Sequence, residues 1–506
     1  MMLEEIKRNE RRERIAAALL LALGAALRLA AIGSLPLGLN QDEASAGYET
    51  FALLTAGIDR CGKSWPVLFI SWGSGQNVLM SYLALPFVAL LGLSELSVRL
   101  PNAISGCLTL FVFWRLARRA GGAHFGLLAL LLLVVNPWHI MMSRWALESN
   151  LLPFFLLTGV WLTALAQEKP WILVAAAACF GLSLYAYGTA FFFLPVYLIC
   201  AVVWLRRDLR PASFCTALAL FVLLALPIAL CQLRDALGKP ELVILGVTLP
   251  RLTEGRQAAT SIFGGGGLAA AAENFRGFLN ILRKGGDGLP WNATSFWRGG
   301  IFYFFGLPTA LLGIVRSVLE RKDRQTEAPL RYALLSALLC TFLIRGNVNR
   351  INMVWLPLIY FSALGCDLIG RLLRRWSVIP LAGLLVCFFL FLSTYTATFA
   401  GNGNVNYFPG LGGAIRAAEE SGAETVYITD KVNQPYIFAL FYTETLPETF
   451  SDSVVYRNPN GAFRQVERFD GFEFRDSMRA DLSILYAWQA EGREVLARSG
   501  SFVVCK

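Results

Sequence analysis

The chain has 506 residues, of which 56% are apolar and 16% charged, with a formal net charge of +10. Soluble domains carry about 25% charged residues, so this composition excludes a water-soluble fold of several domains and requires a surface facing lipid. The excess positive charge does not mark a nucleic-acid partner. Residues 400–506 hold 10 Lys and Arg against 14 Asp and Glu, leaving +14 on residues 1–399, clustered in connectors between apolar runs as the positive-inside rule describes.

Lys7, Arg8, Arg11, Arg12 and Arg14 precede an apolar run from Ile15 to Ile32 with no small-residue cleavage pattern behind it. This predicts a cytoplasmic tail over 1–14 and a retained first span. Ten further spans are expected near 100–117, 123–142, 150–167, 171–187, 191–205, 213–231, 300–316, 331–345, 352–370 and 378–397. Basic connectors such as Arg115–Arg119, Arg206–Arg210 and Arg371–Arg375 then all fall on the side of the N-terminus. Counting 76–92 as a crossing would invert every later loop, so that segment is expected to lie in or dip into the outer leaflet; if it spans, the count is twelve.

The expected fold class is therefore an α-helical polytopic membrane protein of about 11–12 spans, its membrane domain covering 15–397. Residues 398–506 change character: helix then strand over 413–430, a helix over 435–444 and strands after Ser483 predict a small α/β domain. An odd number of crossings places that domain outside the cell, with the loops 33–99 and 232–298. The second loop is long enough to act as a lid; it carries a glycine run at 264–267, read as a hinge, and the sequon Asn292–Thr294. Of ten cysteines, with no CxxC pair, seven lie in or against apolar runs and read as packing residues, while Cys61, Cys231 and Cys505 lie in or near extramembrane segments, where one disulfide is conceivable and none is required; two histidines exclude a histidine-rich metal site.

The unusual polar residues collect on the outer side. Arg28 lies within the first span, where an unpaired cation costs about 2.5–3.5 kcal/mol on insertion scales, so a partner is expected, and Asp42 and Glu43 in LNQDEASAGYETF can supply one. The same stretch also fits a capping box, Asn40 to Glu43. Arg99 stands at the outer start of the second crossing. Arg144 and Glu148 are spaced i, i+4 on an expected helix face beside Trp138 and Trp145, with His139 read as part of that aromatic belt. Tyr185 and Tyr187 join two crossings. Arg345, Asn347, Asn349, Arg350 and Asn352 form a polar knot between apolar helices, a composition suited to a phosphate group. No P-loop, HExxH or nucleophile elbow occurs.

The ordered series LRLAAIGSLPLGLNQDEASAGYE, SELSVRLPNAISG, NPWHIMMSRWALESN, GLSLYAYGTAFFFLP and NVNRINMVWLPLIYFSALG resembles the GT-C membrane glycosyltransferases, in particular bacterial relatives of protein O-mannosyltransferases and lipid A aminoarabinose transferases. The resemblance covers residues 15–395. It implies an inverting hexosyl- or pentosyltransferase of the cell membrane that takes a polyprenyl-phosphate-linked sugar, within the membrane lipids, and passes it to a glycan, lipid or protein acceptor on the outer face. It places the general base at Asp42 with Glu43 beside it, the donor phosphate at Arg350, Arg345, Asn352 and Arg99, and supporting roles at Arg28, Arg144, Glu148, Tyr185 and Tyr187. A divalent cation near the loop acids stays open. The alternative class is a transporter or flippase for lipid-linked saccharides, which would place ionisable groups at the bilayer midplane within inverted repeats; no repeat is found.

Overall fold

The computed structural model describes residues 2–506 except residue 73 and the segments 253–261, 263–266, 288–299, 321–323, 402–404, 460–463 and 476–479. The glycine run at 264–267, apart from Gly267, and the Asn292–Thr294 sequon lie outside the described residues.

The apolar runs form helices α1 (Met2–Leu29), α2 (Gln41–Ala56), α3 (Leu79–Leu91), α4 (Glu95–Val134), α5 (Pro137–Ser143), α6 (Leu152–Leu165), α7 (Ile172–Ala186), α8 (Ala190–Leu205), α9 (Pro211–Ala236), α10 (Gly267–Lys284), α11 (Tyr303–Leu319), α12 (Arg324–Leu343), α13 (Trp355–Leu373) and α14 (Val378–Phe399). α4 is two helices folded back at Gly122, whose φ of 82° suits glycine. A Cβ on Gly126 would stand 3.0 Å from the Arg118 Cα, a closeness that only a hairpin allows. Each of the eleven expected crossings therefore coincides with a helix or half-helix. The segment 76–92 forms α3, whose 13 residues rise about 20 Å, short of a hydrocarbon core of about 30 Å.

Burial sorts the helices. α13 is almost entirely enclosed, whereas α9 and α14 expose rows of Leu, Val, Ile and Phe, the pattern of a lipid-facing rim. α11 and α13 approach so closely at Gly313 and Gly365 that a Cβ on either would land on the Phe361 or Thr309 carbonyl oxygen, the small-residue contact that substitutes for hydrophobic drive in lipid. At the end carrying the N-terminus, Arg118 bonds Glu13 and Arg119 bonds Glu168.

The last hundred residues form an α/β domain with helices α15 (Leu411–Glu420), α16 (Pro435–Thr443) and α17 (Pro447–Ser453). Its strands are β5 (Val426–Ile428), β6 (Val455–Tyr456), β7 (Val466–Phe469), β8 (Phe472–Glu473), β9 (Leu482–Tyr486), β10 (Val495–Ser499) and β11 (Phe502–Cys505), in the order β10-β11-β9-β5-β8-β7-β6. β5 is parallel to both neighbours and the other pairings are antiparallel. Two short hairpins, β1 (Leu68–Ser71) with β2 (Ser74–Asn77) and β3 (Leu242–Ile244) with β4 (Val247–Leu249), lie in the two long loops. The domain seats its α16 on α2, where Gly47 admits the Phe441 ring.

Candidate active site

α2 begins with the capping box read from the sequence. Asn40 is extended (φ −80°, ψ 156°), its side chain accepts the Asp42 N–H at 2.9 Å, and its own N–H donates to Glu43 Oε2 at 3.1 Å. Gly57 ends the helix in the left-handed region. The two carboxylates of the first turn meet different surroundings. Glu43 is fully buried: Oε1 accepts Arg99 Nε at 2.8 Å and the Ala146 N–H at 3.0 Å, and Oε2 accepts Arg99 Nη2 at 3.0 Å as well as the Asn40 N–H. Asp42, one residue earlier, is half-buried.

Arg99 is not available to a phosphate, contrary to the sequence expectation. Besides Glu43 it donates to the carbonyls of Ile32, Pro36 and Gly38, with no exposed surface. These contacts fold the loop after the first span into a fixed shape. The same loop is clamped from the other side by the chain entering the α/β domain: Leu37 N–H donates to the Phe399 carbonyl at 2.8 Å, and Gly38, at φ 83°, lies against the Tyr407 carbonyl. Burial, then the charge of Glu43, and further down that of Asp42, push the Tyr407 phenol up.

Arg28 does not pair with the loop acids. Its Nε and Nη2 donate to His139 Nδ1 at 3.1 and 2.6 Å, and the rest of the guanidinium meets the carbonyls of Gly24, Leu133 and Val134. His139 is thus no belt residue but the acceptor of a buried cation, which requires its proton on Nε2. Nor do Arg144 and Glu148 share a helix face, because α5 stops at Ser143. Arg144 donates to the carbonyls of Leu27 and Leu35, at 3.0 and 2.8 Å, while Glu148 accepts the Asn77 N–H. Tyr185 donates to the Leu224 carbonyl at 2.8 Å, latching α7 to α9, and Tyr187 caps α7 at half burial.

The irregular backbone of 145–150 joins these pieces. Its Ala146 N–H reaches Glu43, its Trp145 and Leu147 carbonyls take Asn102 Nδ2 at 2.6 and 3.0 Å, and its Ser149 carbonyl and Asn150 Oδ1 take Asn352 Nδ2 at 3.0 and 3.1 Å. Asn352 also accepts Trp138 Nε1 at 3.2 Å and is wholly buried, so it supports the wall rather than meeting a ligand. The polar knot therefore divides: Asn352 is structural, whereas Arg345 is exposed and Arg350 half-buried. The bond of the Arg350 guanidinium among the described residues is Nη1 to the Arg345 carbonyl, at 3.5 Å, and its charge stays uncompensated there. Beside the knot, Asp287 accepts the Val348 N–H at 2.9 Å. An apolar crevice of about 250 Å³ opens between α10 and α11, lined by Leu282, Phe302, Phe304 and Leu307 with the exposed Arg283.

One constellation escaped the sequence reading. Glu49, on the far half of α2, pairs with Arg60 (Nε to Oε1, 3.1 Å), both fully buried. Arg60 also donates to Ser71 Oγ at 3.1 Å and lies over the rings of Trp72 and Tyr436, at 4.7 and 5.9 Å. Burial pushes the Glu49 carboxyl up to about 7, against the pull of the Arg60 guanidinium, and pushes Asp59 up to about 6. An Asp–Arg pair in a loop after an amphipathic helix is too common a pattern to have announced this nest.

Among the described residues no three His, Cys, Asp or Glu side chains gather as metal ligands.

Residues 76–230 match a family model described as dolichyl-phosphate-mannose-protein mannosyltransferase. No curated protein matches the chain by sequence. Among solved structures, ArnT from Cupriavidus metallidurans bound to undecaprenyl phosphate is similar with a TM-score of 0.59 at 14% identity, over 96% of this chain and 97% of that one. The same protein in the apo state gives 0.56 at 13% over the same shares. The Archaeoglobus fulgidus oligosaccharyltransferase tethered with an acceptor peptide containing the NVT sequon gives 0.52 at 13%, over 86% of this chain and 63% of that one. At these identities the likeness is one of fold, and it meets the expectation drawn from the ordered motifs: a multi-pass GT-C fold carrying a C-terminal sheet domain.

Proposed function

We propose that the chain is an inverting glycosyltransferase that moves a sugar from a polyprenyl-phosphate donor to an acceptor hydroxyl, at the end of the bundle capped by the α/β domain and on the outer face of the membrane. The observation that carries this reading is the separation of roles on the first turn of α2. Glu43 is held by four donors as a structural anion, which leaves Asp42, at the helix N-terminus and in contact with the surface, as the general base. A base so placed contributes typically about 10²- to 10⁴-fold.

The leaving phosphate gains charge as the sugar departs, and cations aimed at it stabilise that change. Arg350 and Arg345, which form no ion pair among the described residues, are the candidate cations. The apolar crevice between α10 and α11, with Arg283 in its lining, suits the first isoprene units. The undecaprenyl phosphate named for the ArnT complex is a ligand of this chemistry. Arg99, Arg28 and Asn352 act through the scaffold by fixing the loop and the wall.

In proteoliposomes supplied with polyprenyl-phosphate sugars, Asp42→Asn abolishes transfer while expression, thermal midpoint and donor binding stay near those of the wild type. Turnover of that variant at the wild-type rate refutes the mechanism.

A further inference from the structure

A second cleft, of about 440 Å³, lies in the α/β domain, away from the residues assigned above. It opens at the carboxyl end of β5, the strand with parallel neighbours on both sides, where ligands of parallel sheets are bound, and its size falls within the roughly 300–1,000 Å³ of small-molecule sites. The floor is apolar and buried, made by Val432, Tyr436 and Phe474. The walls are polar: Asn433 and Gln434 follow β5, and Gln465 and Arg457 face them from the β6–β7 hairpin.

The chemistry of the walls narrows the ligand. Side-chain amides offer donors and acceptors together, the complement of vicinal hydroxyls. Gln434 holds the left-handed conformation (φ 55°) at the start of α16 and makes no side-chain cap, so its amide is not engaged by the helix it precedes. Asp430 and Lys431 lie 3.6 Å apart and offset each other. Among the described residues Arg457 has no such neighbour, and its guanidinium donates through Nη1 to Gln465 Oε1 at 3.4 Å. Among the described residues the cleft thus presents amides, an aromatic floor and one net cation, and no glycine-rich turn of the kind that cradles a nucleotide phosphate.

We infer that this cleft binds a saccharide carrying an anionic substituent, as the docking site for the glycan part of the acceptor. The acceptor role rests on the transferase reading; the binding itself does not. The floor residue Tyr436 meets Trp72 of the first long loop edge-on at 5.8 Å, and α16, which begins at the cleft, packs on α2. A saccharide held there is tied through packed side chains to the helix that carries Asp42.

The test uses the full chain in lipid nanodiscs, titrated calorimetrically with trigalacturonate and with neutral galactotriose. Trigalacturonate is expected to bind about tenfold more tightly, the difference one charge-assisted hydrogen bond makes. Arg457→Ala should remove that preference, and the Asn433→Ala, Gln465→Ala pair should weaken both sugars about tenfold, with thermal midpoints unchanged since these side chains are solvent-facing. Absence of binding to the wild type, or equal binding by wild type and all variants, overturns the inference. Asp42→Asn should bind both sugars as the wild type does, so loss of the catalytic reading and loss of this one are told apart.

Discussion

Arg99 grips both oxygens of Glu43, Nε to Oε1 at 2.8 Å and Nη2 to Oε2 at 3.0 Å, with neither side chain reaching the surface. Removing one partner of such a pair leaves a buried charge and costs about 3–5 kcal/mol. Arg99→Ala and Glu43→Gln are therefore expected to lower the thermal midpoint sharply in detergent. Asp42→Asn, on the same turn, leaves it unchanged. A Glu43→Gln protein of native stability that had lost only activity would move the base to Glu43.

Arg350→Ala should raise the donor KM about 10- to 100-fold, the effect of one lost charge-assisted contact to phosphate, while acceptor KM and thermal midpoint hold. Arg345→Ala should act in the same direction, and both replaced together should exceed either alone. Unchanged donor affinity in Arg350→Ala removes it from the phosphate site. Asn352→Ala differs in kind: it releases the Ser149 carbonyl and Trp138 Nε1, so stability falls along with activity.

How far the sequence reaches is visible in these contrasts. The spans, the capping box and the α/β boundary are local properties, written in runs and spacings that period and composition expose. The partner of Arg28 is not local, because His139 lies 111 residues away and a nearer acid looked equally apt. Arg144 and Glu148 kept helical spacing in the sequence, yet the backbone there serves Glu43, Asn102 and Asn352 instead of continuing α5. Tertiary demand on peptide groups leaves no mark in side-chain periodicity.

The nest around Glu49 gives a pH dependence whose sign follows from burial. Its carboxyl titrates near 7 in the folded chain against an ordinary 4.5, with Arg60, Asp59, Tyr48 and Tyr436 around it. The folded state therefore holds more protons between those values, so stability is fully present below about pH 4.5 and declines as pH rises towards 7. Asp59, raised to about 6, adds to the slope. Thermal midpoints measured from pH 4.5 to 8 should fall, and Glu49→Gln should flatten the curve at a lower overall stability. An undiminished slope in that variant assigns the titration elsewhere.

Gly313→Leu and Gly365→Leu each drive a side chain into a carbonyl of the facing helix. Both are expected to separate α11 from α13 and abolish folding in the membrane, read as loss of the monodisperse peak in size-exclusion chromatography. Gly370→Leu, where a side chain meets open space, is the control and should elute as the wild type does.

The backbone of 145–150 touches the acid-bearing helix through one amide and the arginine-bearing knot through one carbonyl and one side-chain amide. The spacing between the first turn of α2 and the knot at 345–352 is thus set by a ruler of peptide units. Exchange of side chains along it leaves these peptide contacts in place, whereas insertion of a single residue would shift one end by the length of a peptide. The fold separates what fixes the spacing of these groups from what is free to vary along the segment.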